Sequence, residues 1–125
     1  MNDDDPKVID LDVLGATLGG DRDLIRRILE QLQETLRVRR DELHRVMAGD
    51  DPQAVHEVTH PLKGALAGAG AEEARRCVER MDDAARHDDM EGTRAAYGPA
   101  GSALERLEDA LKEVVHGTGT GDGIV

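Results

Sequence analysis

Aromatic side chains are almost missing from this chain, which has no Trp, no Phe and a single Tyr, Tyr97. Burial therefore has to come from Leu, Ile, Val, Met and many Ala. Aromatic and β-branched residues favour strands, whereas Ala, Leu, Glu and Arg favour helices, so the shortage points to an all-α fold. Cysteine is nearly absent too. Cys77 stands alone, which excludes an intramolecular disulfide and a cysteine-rich metal site. Basic residues are outnumbered, 16 against 27 acidic, for a net charge of −11. A nucleic-acid binder needs a basic surface to displace counterions, so neither nucleic acid nor an anionic membrane is an expected partner. No apolar run approaches the roughly 20 residues that cross a bilayer, and the acidic start, MNDDDPK, holds no apolar signal region. These features lead to the expectation of a soluble, cytoplasmic protein. The 125 residues make one ordinary domain and leave no room for a nucleotide-binding catalytic domain beside a helical one.

What is present is helical periodicity. A short first helix is expected over residues 11–18, with Asp10 as N-cap and Gly19 ending it. Asp21 can cap a long second helix running to about Ala48. Its apolar positions, Ile25, Ile28, Leu29, Leu32, Leu36, Leu43, Val46 and Met47, recur at three and four residues as one helix face requires. Asp51-Pro52 is a start signal for a third helix, whose stripe is Val55, Val58, Leu62, Leu66 and Ala69 and whose end falls near Gly68–Gly70. Glu72 and Glu73 suit the first turn of a fourth helix, striped by Ala74, Cys77 and Val78, Met81, and Ala84 and Ala85. Asp88 or Asp89 begins a fifth, with Met90, Tyr97, Leu104, Leu107, Leu111 and Val114 in register and a kink expected at Gly98-Pro99. Four long amphipathic segments joined by short connections predict an antiparallel four-helix bundle with a short extra N-terminal helix. The expected domain spans residues 9–116, between a disordered N-terminus (1–8) and a disordered Gly-rich tail (117–125).

The informative stretch is His56-Glu57-Val58-Thr59-His60-Pro61-Leu62-Lys63-Gly64. With Val58 taken as zero on the third helix, Leu62 lies at about 40°, and these two mark the core direction. His60 then falls at about 200°, Lys63 at about 140°, Gly64 at about 240° and Ala67 at about 180°, so His60 faces away from the core. Each residue has a chemical use there. An exposed neutral imidazole carries a free ring nitrogen that can attack phosphorus. Lys63 offers a point charge for phosphoryl oxygens. Gly64 costs roughly 1 kcal/mol against Ala inside a helix, a cost that fits a site where another backbone comes close. Pro61 directly follows the proposed nucleophile, removes the hydrogen bond to the Glu57 carbonyl, and predicts a local kink near residues 57–61. A surface His beside a Lys and a Gly also describes an ordinary solvated face.

From His60 onward the chain reads His60-Pro61-Leu62-Lys63-Gly64-Ala65-Leu66-Ala67-Gly68-Ala69-Gly70-Ala71. It resembles the histidine phosphotransfer (HPt) domain family, whose pattern is a helix with His-x-x-Lys-Gly, small residues after it, then Gly and usually Ala. Leu62, Lys63, Gly64, Gly70 and Ala71 fall at the family's positions. The resemblance runs from roughly residue 9 to residue 115 and includes the Asp10-Leu11-x-x-Leu14 opening, the Gly19-Gly20-Asp21 turn before the long helix and the Gly49-Asp50 turn before the His helix. Pro61 departs from the pattern, as does Leu32, which stands where the family often has Phe. The resemblance implies that His60 is the phosphoryl acceptor and donor and that Lys63 assists electrostatically. It further implies that Gly64, Ala67, Gly68 and His56 lie on a docking face. Expected partners are a histidine kinase and a response-regulator receiver domain. The receiver would supply the aspartate and the Mg²⁺, so this chain is expected to bind no metal or cofactor and to act as a phosphocarrier rather than an enzyme. A monomer is expected for a closed bundle.

Two alternatives remain from the residues. One is a helical protein-interaction module without phosphotransfer. The other, more distant, is a zinc peptidase, because His56-Glu57-x-x-His60 matches the HExxH arrangement. No downstream His or Cys has a suitable third-ligand spacing for it, which leaves a carboxylate such as Glu79. His44 is expected at the solvent boundary, His87 and His116 near helix C-termini, and Cys77 as a small buried residue.

Overall fold

The computed structural model describes residues 6–115. They form five helices, α1 (Leu11–Thr17), α2 (Arg22–Met47), α3 (Pro52–Gly68), α4 (Glu72–Arg86) and α5 (Met90–Val115), and no strand among the described residues. The N-termini are set by aspartates that satisfy the orphan amides of a first turn. Asp10, Asp21 and Asp51 accept from the amides of Val13, Leu24 and Gln53. Asp89, not Asp88, caps α5, accepting from the Gly92 amide at 2.8 Å, while Asp88 takes a left-handed backbone with φ 57°. Helix α4 starts from Ala71 without a side-chain cap and has Glu72 and Glu73 in its first turn, where the dipole favours acids.

The α3–α4 turn depends on Gly70. Its φ of +71° is the left-handed conformation that glycine adopts without penalty, and the Ala71 amide bonds back to the Leu66 carbonyl at 3.0 Å. A Cβ at Gly70 would also come within 3.1 Å of the Asp10 carbonyl oxygen. The N-terminal segment closes over this turn, with Asp10 donating its amide to the Gly70 carbonyl and Glu73 donating to the Lys7 carbonyl. Lys7 is therefore tied down, and Val8 packs on the core, inside the stretch 1–8 that is expected to be disordered. Residues 1–5, His116 and the expected tail 117–125 lie outside the described residues.

Each of α2 to α5 contributes fully buried aliphatic side chains to one core: Leu29, Leu36 and Leu43; Val55, Leu62 and Leu66; Val78 and Met81; Leu104, Leu107 and Leu111. Burying one such side chain contributes roughly 1.5–3 kcal/mol, so this stripe-to-stripe packing dominates the fold. Helix α3 packs between α2 and α4, α5 packs against α4 and α2, and α1 rests on α2. The connections between the long helices are short, so successive helices run antiparallel. The all-α class and the four-helix bundle with an extra N-terminal helix are as the sequence predicts.

Helices α3 and α5 both run on through their prolines, Pro61 and Pro99, where kinks are expected. Neither helix is interrupted, and His60 is helical. Pro61 is exposed between buried Val58 and Leu62, and Pro99 is exposed beside buried Ala100. Core packing on one side holds the helical path. The lost amide bond lies at an exposed residue, with Glu57, whose carbonyl is freed, also exposed.

Candidate functional site

Helix α3 turns two different sides outward. His60, Gly64, Ala67 and Gly68 are all exposed, on the face that the helical angles assign to them. A Cβ added at Gly64 or Gly68 would meet nothing within 4 Å, so no internal packing calls for glycine at either position. Beside them a groove of about 330 Å³ between α2 and α3 is lined by residues including Ile28, Leu32, Ala65 and Gly68.

The other side turns toward α4 and is organised by one residue that sequence reasoning misses, Asp82. Its side chain is fully buried. His56 Nδ1 stands 2.6 Å from Oδ1, the Thr59 hydroxyl donates to Oδ1 at 2.7 Å, and the Lys63 ammonium donates to Oδ2 at 3.2 Å. Burial pushes the Asp82 carboxyl up, but the hydrogen bonds from Thr59, His56 and Lys63 together outweigh it and hold the group below its usual value. A carboxylate held ionised can only accept, so the shared proton belongs to His56 Nδ1. In its neutral form His56 then carries its lone pair on Nε2. Thr59 is also buried, and its hydroxyl has two longer contacts, to the carbonyls of Val55 at 3.1 Å and His56 at 3.4 Å. Its one proton is best spent on the shorter, charge-assisted bond to Asp82.

Lys63 thus does not stand free beside His60; it leans onto Asp82. His56, one turn before His60, lies against it, with ring centroids 5.2 Å apart and planes tilted by 38°. The structure brings His56, His60 and Lys63 to one end of the α3–α4 seam and leaves Gly64, Ala67 and Gly68 further along the open face. A sequence signal for Asp82 exists. It occupies the third, fourth and seventh-residue register of Val78, Met81 and Ala85, where α4 buries its stripe, and a carboxylate at such a position needs partners.

His56, His60 and Asp82 are also the one group of side chains among the described residues whose donor atoms come close enough together to hold a metal ion. Glu79, the third ligand that the sequence leaves open for a zinc peptidase, is instead paired with Arg75 at 3.3 Å. A larger groove, about 520 Å³, is lined by Glu30, Gln33, Glu34, Arg37, Glu108, Leu111 and Lys112 and contains no histidine. His44 is exposed, as expected, and exposed His87 bonds the Asp83 carbonyl at the end of α4 through Nδ1 at 2.7 Å. Cys77 is half-buried.

The Hpt domain family profile matches residues 27–117, well over half of the chain. The protein belongs to the Hpt domain family. Hpt domains are phosphotransfer modules of two-component signalling and work with kinases and receiver domains. The matched segment of this Hpt domain takes in all of α3, α4 and α5 and leaves α1 and the first turn of α2 outside. Neither the curated proteins nor the solved structures gave a match. No helix among the described residues is long and apolar enough to cross a membrane.

Proposed function

We propose that this Hpt domain relays a phosphoryl group through His60, receiving it from a sensor kinase or a receiver-domain aspartyl phosphate and passing it to a response regulator. The observation that carries this reading is the exposure of His60 on an outer helix face beside glycines with no internal packing reason. In the transfer, the lone pair of a His60 ring nitrogen attacks the phosphorus of the acyl phosphate. The N–P bond forms as the P–O bond to the partner aspartate breaks, and the reverse step regenerates the imidazole. Such a transfer needs positioning and charge neutralisation more than protein-borne chemistry, so the receiver and its Mg²⁺ supply most of the machinery and this chain acts as carrier.

Lys63 lies one turn from His60 with its ammonium on Asp82. A phosphoryl group carrying about −1.5 to −2 charge competes with Asp82 for it, so Lys63 steadies the phosphorylated state. Gly64, Ala67 and Gly68 form the docking face, with half-buried His56 at its edge on the α4 side, and a receiver backbone can approach without meeting side chains at Gly64 and Gly68. The module works in the cytoplasm as a monomer. The test is incubation with a phosphorylated receiver domain followed by assay of acid-labile phosphate on the Hpt chain. Wild type acquires it and His60→Gln does not. Label on His60→Gln removes His60 as the carrier, and none on wild type leaves the chain a helical interaction module. A peptidase would also need a substrate cleft at the metal ligands, and the HExxH pair sits on a helix face rather than in either groove described above.

A further inference from the structure

Relay through His60 gives no chemistry to the carboxylate that reaches His56 from α4. We propose that His56, His60 and Asp82 form a binding site for a divalent transition-metal ion of the zinc class, and that an ion bound there blocks phosphorylation of His60. This goes beyond the expectation of a metal-free carrier. The binding claim stands on geometry alone, whereas the blocking claim rests on the phosphocarrier reading above.

Each of the three residues offers one ligand atom, and these atoms lie within 4.8 Å of one another. The spacing of four residues puts both imidazoles on one side of α3, one turn apart. The third ligand comes from a different helix, so the set is not a simple run along one surface. Asp82 is preorganised, since it is fully buried and Thr59 anchors it at 2.7 Å. That hydroxyl would remain as an outer hydrogen bond orienting a ligating carboxylate, the arrangement that metal sites ordinarily use. Two imidazole nitrogens and one carboxylate oxygen suit zinc and its neighbours, while Mg²⁺ and Ca²⁺ prefer all-oxygen sets. Three protein ligands with an exposed histidine among them leave a coordination position open to water.

The fit requires small movements in two directions. Ligands about 2.0–2.1 Å from a tetrahedral ion stand about 3.3 Å from one another. His56 Nδ1 and Asp82 Oδ1, at 2.6 Å, would move apart by several tenths of an ångström as the ion takes the place of the Nδ1 proton, His56 keeping its one proton on Nε2 instead, and His60, exposed and with rotamer freedom, would draw in. Lys63 opposes the ion. Its ammonium is 3.2 Å from Asp82 Oδ2 and must swing on its flexible stem toward solvent. Lys63 therefore has opposite signs in the two activities, helping a phosphoryl group and hindering a cation. Blocking follows from imidazole chemistry. A neutral ring has one lone-pair nitrogen, so a His60 that coordinates a metal through it keeps a proton on the other nitrogen and has no nucleophile to offer.

The test is titration of the untagged full chain with Zn²⁺ in competition with a chromogenic chelator, with Mg²⁺ as the control ion. One Zn²⁺ per chain is expected. Affinity should fall roughly tenfold or more in His56→Gln, in His60→Gln and in Asp82→Asn, rise in Lys63→Met, and stay unchanged in Cys77→Ser. His60 is exposed, so His60→Gln remains decisive even if Asp82→Asn fails to fold. Wild-type affinity in His60→Gln, or loss of binding in Cys77→Ser, overturns the site. A second arm measures phosphorylation by phosphoramidate with and without one equivalent of Zn²⁺. Slower labelling with Zn²⁺ supports the block, and unchanged labelling of the Zn²⁺-loaded protein overturns it. A chain that takes no phosphate even without Zn²⁺ overturns the block and the relay function together, and leaves the titration to decide the metal site by itself.

Discussion

On the side of α3 facing α4, Thr59 is fully buried, His56 and Lys63 are only 27 % and 22 % exposed, and all three bind one buried carboxylate. On the outer side, His60, Gly64, Ala67 and Gly68 are exposed, and a side chain at either glycine would meet open space. The first side is fixed, because an ionised group out of water must have its bonds satisfied. The second is open, as the proposed phosphoryl acceptor has to be if a partner protein is to reach it. If transfer runs through His60 as proposed, stability and transfer are drawn from different sides of one helix, so substitutions should separate them.

The largest break is expected at Asp82. Asp82→Ala leaves Thr59 and Lys63 without their acceptor and should destabilise the fold by about 3 kcal/mol, read as a lower urea midpoint. The same group sets an acid limit. Because its folded pKa is depressed, its contribution is fully present above the unfolded value of about 3.9 and is lost as pH falls through the lower folded value. The stability gap between wild type and Asp82→Asn should accordingly shrink on going from about pH 7 to about pH 3. Next in size, Thr59→Val removes one charge-assisted bond and should lower unfolding free energy by about 1.5 kcal/mol in the same titration.

Gly64→Ala sharpens the contrast by moving the two properties in opposite directions. It should stabilise α3 by about 1 kcal/mol and slow transfer from a receiver, while labelling by a small phosphodonor stays unchanged. Equal slowing with both donors would remove the docking role from Gly64. Smallest of all is the effect of His60→Gln on stability, within about 0.5 kcal/mol as for an exposed site, although it should abolish phosphoryl acceptance.

How much of this was legible in the sequence depended on the range of the interactions. Asp10, Asp21 and Asp51 could be read as caps because a cap reaches only two or three residues ahead. The same holds for His60, since a helix carrying Val58 and Leu62 inward must carry His60 outward. Asp82 was hidden because its partners lie 19 to 26 residues away on another helix; its register with Val78 and Ala85 says only that it is buried, not what it binds. Pro61 is legible only in part: its missing amide is a local fact, whereas α3 runs on through it between Val58 and Leu62, both buried in the core. The helical angle puts Lys63 on the outer face, but a long stem lets it reach the buried carboxylate instead.

Which ring takes the phosphoryl group tests the account most directly, since His56 and His60 lie one turn apart and only His56 is tied to Asp82. Heteronuclear NMR of the imidazole nitrogens, recorded on the full chain before and after phosphorylation by a cognate receiver, distinguishes them. The account predicts that the phosphorus coupling appears on a His60 nitrogen while His56 keeps its bond to Asp82. Coupling on His56, or on neither ring, would contradict it.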